Sequence, residues 1–231
     1  MSKYRNHLPQ LSDELFLTDG GLETTLIFNY DYELPEFAAF GVFKYDGGYE
    51  ALRNYYLPYA DVAKENGVGF ILESATWRAS REWGQKLGYS VGDLREINHT
   101  SVALLHDISK ELENGKNKII ISGCLGPKGD GYNIAEKMSA EEAERYHSEQ
   151  IGALSETEVD MVSALTMTYT EEAIGITRTA ETFGLPVVIS FTVETNGLLP
   201  SGEPLGEAIT TVDHATNHGP AYYMINCAYP T

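Results

Sequence analysis

Lys118-Ile119-Ile120-Ile121-Ser122-Gly123-Cys124-Leu125-Gly126-Pro127 is the stretch on which the fold turns. The β-branched run Ile119 to Ile121 has the length and composition of a buried strand, and it empties into a polar exit rich in glycine and proline. An apolar run without alternation marks a strand covered on both faces, as in parallel sheets. The same unit recurs along the chain. Leu15-Phe16-Leu17 ends in Thr18-Asp19-Gly20-Gly21, where the turn needs glycine's freedom, and Val68 to Leu72 ends in Glu73-Ser74-Ala75-Thr76. Val159 to Leu165 is a fourth strand, and Val187 to Phe191 is a fifth that ends in Thr192-Val193-Glu194-Thr195-Asn196-Gly197. The sixth, in Ala221-Tyr222-Tyr223-Met224-Ile225, delivers Asn226-Cys227 and breaks at Pro230.

Helical patterns separate these strands. Leu52, Tyr55, Tyr56, Tyr59, Val62 and Ala63 form one helical stripe stopped by Asn66-Gly67. Leu94, Ile97, Ser101, Leu104, Leu105, Ile108 and Leu112 form another, stopped by Asn114-Gly115. Ser139 and Glu142 have capping-box spacing, and further helices are expected from Thr170 to about Phe183 and from about Gly206 to His218. Residues 22–48 lack periodicity and read as a long loop with one short helix.

Strands alternating with helices predict βα crossovers and a parallel sheet. No composition break divides the chain, so residues 1–231 are read as a single domain. Two architectures meet this description: an open doubly wound sheet and a (β/α)8 TIM-type barrel of which about six βα units are present. Asp19-Gly20-Gly21-Leu22-Glu23 lacks the spacing and third glycine of a dinucleotide fingerprint. Polar residues at every strand exit fit the barrel, whose enzymes build their sites there.

Sixteen Lys and Arg against 34 Asp and Glu leave a formal charge of -18. That charge repels phosphate backbones and anionic lipid, so neither a nucleic acid nor a membrane is expected as partner. The N-terminus has no apolar signal region and no run is long enough to span a bilayer. Two cysteines, Cys124 and Cys227, make no disulfide framework and fit a reducing, cytoplasmic setting.

The strand exits together resemble those of the homocysteine S-methyltransferase family, zinc-dependent barrel enzymes that methylate a thiol. The resemblance runs from Asp19 to Pro230. It rests on Asp19-Gly20-Gly21 with Glu23-Thr24, Thr76 to Ser80, Ser122 to Pro127, Ser190-Phe191-Thr192 with Asn196 to Gly202, and Asn226-Cys227-Ala228-Tyr229-Pro230. It implies that Cys227 is one of three cysteine ligands to Zn²⁺, whose fourth position takes the substrate sulfur as a thiolate. Asp19 would hold the substrate's ammonium group, with Gly20, Gly21, Glu23, Thr76 and Asn226 as further substrate-binding positions. The family's other two ligands, an adjacent cysteine pair near an eighth strand, are expected beyond Thr231, which makes the domain C-terminally incomplete. Where the family places Glu-Thr after the fourth strand, this chain has Leu165-Thr166, so the amine is held differently or the thiol is not homocysteine.

The expected reaction is methyl transfer from a sulfonium, ammonium or similar donor to a thiol such as homocysteine, giving methionine. Its expected partners are therefore a small-molecule thiol acceptor and a methyl donor, with a homo-oligomer allowed. The alternative is a non-catalytic or degenerate barrel that binds a small molecule without metal. A third reading uses Asp19, Glu73 or Glu194 as a general acid or base. Cys124, Glu73 and Glu194 otherwise read as structural. His214 and His218, spaced i, i+4, read as surface or helix-terminus residues, as do the helical His99, His106 and His147. A six-unit barrel would also leave its first and last strands with unpaired edges and exposed apolar surface, so the chain is expected to be poorly stable alone or to close its gap through a partner chain or a rearranged sheet.

Overall fold

A computed structural model describes residues 2–112, 117–132, 134 and 136–228. The stop at Asn114-Gly115 and the Tyr229-Pro230-Thr231 end of the last motif lie outside them. Six strands form one parallel sheet in sequential order: β1 (Phe16–Thr18), β2 (Gly69–Glu73), β3 (Ile119–Leu125), β4 (Met161–Met167), β5 (Val187–Phe191) and β6 (Tyr222–Ile225). A doubly wound sheet reverses its order at a switch point. This one never reverses, and it is a half-barrel: among the described residues β1 pairs only with β2, and β6 only with β5. Along these two edges Leu15 and Ile225 are exposed.

The two faces of the sheet follow from the two-residue period of a strand. Leu17, Phe70, Leu72, Ile119, Ile121, Val162, Ala164, Val187, Ile189, Phe191 and Tyr223 point outward into the main core. Helices cover them: α1 (Leu22–Phe28), α2 (Gly48–Glu65), α3 (Arg81–Lys86), α4 (Val91–Leu112), α5 (Ala140–Ser155), α6 (Thr170–Thr182) and α7 (Leu205–Thr216). A fully buried Leu52 or Leu105 stabilises this layer by roughly 1.5–3 kcal/mol. Phe16, Ile71, Ile120, Met161, Val188, Tyr222 and Met224 point inward, and Leu8 of the N-terminal segment plugs their lower end. No helix of the described residues is long and apolar enough to cross a membrane.

Several local readings need correction. Ser122 to Leu125 is not an exit loop: it continues β3, buried throughout, because parallel neighbours on both sides supply ladder bonds even to Ser122 and Gly123. Residues 22–48 hold two 3-10 segments, Pro35–Phe37 and Ala39–Lys44, besides α1. The short α3 is too brief to show a period. Val62, counted in the α2 stripe, is 50% exposed, while Ala60 takes the buried place. His147 is no surface residue: its ring is fully buried, with Nε2 2.9 Å from Glu172 Oε1. The capping box forms as expected, Glu142 N–H donating to Ser139 Oγ and Ser139 N–H to Glu142 Oε2.

Candidate active site

Three tyrosines of α2 fasten the exits of β1 and β2. Tyr55 donates to Asp19 Oδ2 at 2.8 Å, Tyr56 to the Glu73 carbonyl at 2.7 Å and Tyr59 to the Gly20 carbonyl at 2.7 Å. Tyr55 and Tyr59, one helical turn apart, both reach the β1 exit, and Tyr56 beside them reaches the end of β2. Asp19 is thereby held at the open end of the sheet. Burial pushes its carboxyl up to about 6, opposed by the Tyr55 hydroxyl and by the backbone N–H groups of Asp19 and Glu73.

Gly21, at φ +74°, begins α1 in a conformation that a side chain disfavours, and a Cβ there would lie 2.9 Å from Thr24 Oγ1. At Gly20 nothing stands within 4 Å of an added Cβ, so no crowding explains that glycine. Glu23 lies in the first turn of α1. Burial raises its carboxyl; its own backbone N–H opposes this, Asp19 adds to it and Arg78 opposes it.

Glu73 ends β2 on the inward face, opposite Ser122 of β3. Burial raises its carboxyl to about 7; the Ser163 hydroxyl opposes the rise, Asp19 adds to it and the Ser122 hydroxyl opposes it. Thr76 is fully buried, and its hydroxyl donates to the Cys124 carbonyl at 2.7 Å, bracing the β2 exit against β3. Cys124 is buried, and burial first, then Glu73, Glu23 and Asp19, holds its thiol well above the usual range.

Asn226 ties three strand exits together. Its Oδ1 accepts from Thr166 N–H and Ser190 Oγ, both at 2.8 Å, and its Nδ2 donates to Thr166 Oγ1 at 2.8 Å and Cys227 Sγ at 3.3 Å. Thr166 has φ 65° within a register shift of β4, so Asn226 holds a local distortion in place. Cys227, also at positive φ, is exposed. Tyr132 hydrogen-bonds Cys227, and burial followed by that bond pushes the phenol up to about 12.

Arg78 completes the rim. Its guanidinium lies 3.8 Å from the Trp77 ring centre and 3.7 Å from that of Trp83, and it donates to the carbonyls of Gly129 and Asp130. Burial lowers it to about 10. Electrostatic contacts and hydrogen bonds thus link Asp19 to Glu23, Glu23 to Arg78, Arg78 to Tyr132 and Tyr132 to Cys227. Tyr55, Arg78 and Tyr132 escape a sequence reading, since their roles depend on which distant residues the fold brings to them. Glu73 was legible as a strand-exit acid, but not its unpaired state.

The described residues contain no group of three His, Cys, Asp or Glu side chains able to hold a metal. Cys227 offers one thiolate where a tetrahedral zinc site needs several donors, so these residues do not by themselves fit zinc. Cavities of about 260 Å³ beside Lys128 and Tyr146 and of about 340 Å³ beside Arg5 and Pro186 are lined by none of Asp19, Glu73, Asn226 and Cys227. Chemistry, not enclosed volume, marks the site.

The homocysteine S-methyltransferase family model matches residues 16–231. The chain belongs to that family, and with it to the methyltransferases. Among solved structures, the metallated form of the homocysteine methyltransferase MmuM from Escherichia coli is similar, with TM-score 0.79 and 18% identity, covering 96% of this chain and 77% of that one. Its oxidized form gives TM-score 0.78 and 18% identity over 95% and 75%. Its apo form gives 0.60 and 16% over 96% and 75%. At these identities the likeness speaks for the fold, a partial TIM-type barrel. No curated protein matches significantly.

Proposed function

We propose that the protein transfers a methyl group from a sulfonium, ammonium or similar donor to a thiol such as homocysteine, giving methionine, in a single domain whose whole form closes as a (β/α)8 barrel. The observation that carries this reading is the family match over residues 16–231, with an exposed Cys227 Sγ at the strand exits. Asp19, held by Tyr55, takes the acceptor's ammonium group. Gly20, Gly21 and Glu23 shape that end, Thr76 keeps the β2 and β3 exits together, and Asn226 orients Cys227. In the transfer the acceptor sulfur loses its proton and forms the new S–CH3 bond as the donor leaves with the electron pair of the broken bond. Orientation of the two reactants is what these residues supply.

Zinc, where bound, would supply a Lewis acid that keeps a thiol ionised at neutral pH. The described residues do not complete its ligand set, so zinc dependence is proposed for Cys227 together with two further thiolates, expected after Thr231. The lone thiolate and Leu165 favour, as a second reading, a barrel that binds a small thiol without metal or catalysis. On composition we place the protein in the cytoplasm. Assays of zinc content and methylation of homocysteine, in the protein and in Cys227→Ala, separate these readings. Stoichiometric zinc and activity lost together in the variant support the first. Homocysteine binding without zinc or turnover supports the second, and no thiol binding at all overturns both.

A further inference from the structure

We propose that Glu73 joins Asp19 as a second carboxylate for the ammonium group of the small-molecule ligand, so that the ligand's cation is bound between β1 and β2 inside the sheet. The inference deepens the thiol-acceptor reading and rests on it. Both carboxyls carry an oxygen shut off from solvent and without a hydrogen-bond partner, Asp19 Oδ1 and Glu73 Oε2. Their other interactions are those of groups fixed in place: Tyr55 grips Asp19 Oδ2, the Glu73 N–H also faces Asp19, and Ser163 and Ser122 hold the Glu73 carboxyl. A buried carboxylate oxygen without a donor is costly, and native structures rarely retain one without a function.

The groups facing Glu73 do not supply the missing charge. From the exit of β1 comes Asp19, from β3 Ser122 and Cys124, from β4 Ser163, from α2 Tyr56 and from β6 Tyr222, with Glu23 of α1 beyond Asp19. None is a cation, and the guanidinium of Arg78 acts on Glu23. The unmet demand is for hydrogen-bond donors carrying positive charge. A primary ammonium has three N–H donors and meets it. A sulfonium or a quaternary ammonium has none, which assigns the pair to the acceptor's amine and not to the donor's onium centre. Barrel interiors are ordinarily filled by branched apolar residues. Here the inward layer above Ile71, Ile120, Met161 and Val188 is Glu73, Ser122, Ser163 and Ser190, a polar layer set one step below the strand exits.

With its carboxyl pushed up to about 7, Glu73 is partly protonated near pH 7, and an arriving ammonium displaces that proton. Calorimetric titration of the wild-type protein and of Glu73→Gln with L-homocysteine, and with 4-mercaptobutanoate, which has the thiol and carboxylate but no amine, tests this. Each is run at pH 7 in two buffers of different ionisation enthalpy, so that protons released are counted. Expected is homocysteine binding to the wild type with a measurable excess of protons released over 4-mercaptobutanoate. In Glu73→Gln, homocysteine affinity falls at least about tenfold and the extra release vanishes, while 4-mercaptobutanoate binds both proteins alike. The wild-type proton count stands even if the variant folds poorly. Homocysteine binding equally to both proteins, without extra proton release, overturns the inference and leaves the thiol-acceptor reading intact. A wild type that binds neither ligand overturns both.

Discussion

Replacing Glu73 by Gln removes a titration and almost no volume, so its effect on stability should depend on pH in a way that a packing defect would not. In the unfolded chain the Glu73 carboxyl ionises near its ordinary 4.5; in the folded protein burial holds it to about 7. Below 4.5 it is neutral in both states and contributes no difference. Between the two values the folded state keeps a proton that the unfolded state has lost, so stability falls as pH rises, and the loss is complete above about 7. At about 1.4 kcal/mol per pH unit, the interval from 4.5 to about 7 amounts to on the order of 3 kcal/mol. The glutamine variant carries no such loss. Asp19, raised from 3.8 to about 6, behaves in the same sense but is present in both proteins and largely cancels in their difference. Urea unfolding of both proteins from about pH 4.5 to about pH 8.5 should show the variant gaining about 3 kcal/mol on the wild type across that range. Curves that stay parallel would mean that Glu73 is not a buried, unpaired acid, and the cation-binding inference would lose its physical basis with it.

Three further outcomes follow from named contacts. Asn226→Ala leaves Thr166 N–H and Ser190 Oγ without their acceptor and should cost about 1–3 kcal/mol in urea unfolding; it should also change the reactivity of Cys227 toward a thiol reagent, since Asn226 Nδ2 no longer reaches Sγ. Gly175→Ala places a Cβ 2.4 Å from Ala143 Cβ and 2.6 Å from the Ala140 carbonyl where α6 crosses α5, and should cost about 1–3 kcal/mol by thermal melting, whereas an unchanged midpoint would show the helices free to part. Tyr55→Phe removes the hydroxyl that lowers the Asp19 carboxyl, so Asp19, followed by carboxyl NMR, should titrate above about 6.

The candidate positions could be read from the chain because chemistry concentrates at strand exits. Asp19, Glu23, Thr76, Asn226 and Cys227 all fall there, and the structure links Asp19 to Glu23 and Asn226 to Cys227. What each side chain touches was less legible. Thr76, a substrate-binding position by resemblance, spends its hydroxyl on the Cys124 carbonyl. Asn226 spends its amide on the β4 distortion and Cys227, because Thr166 at φ 65° turns its N–H toward it.

The sequence by itself determined the alternation of strands and helices, the parallel sheet, the place of the exits and the family, because apolar periodicity, glycine stops and short motifs are local properties of the chain. Strand order, and with it the choice of a half-barrel over a doubly wound sheet, came only from pairing between segments two dozen or more residues apart, as between Ser122 and Met161 or Val188 and Tyr222. So did the state of the buried acids. Nothing adjacent to Glu73 or His147 in the chain tells that one faces Asp19 and two serines without a counter-ion while the other meets Glu172. Desolvation and pairing depend on every neighbour at once, and those neighbours arrive from several different elements only when the sheet curls.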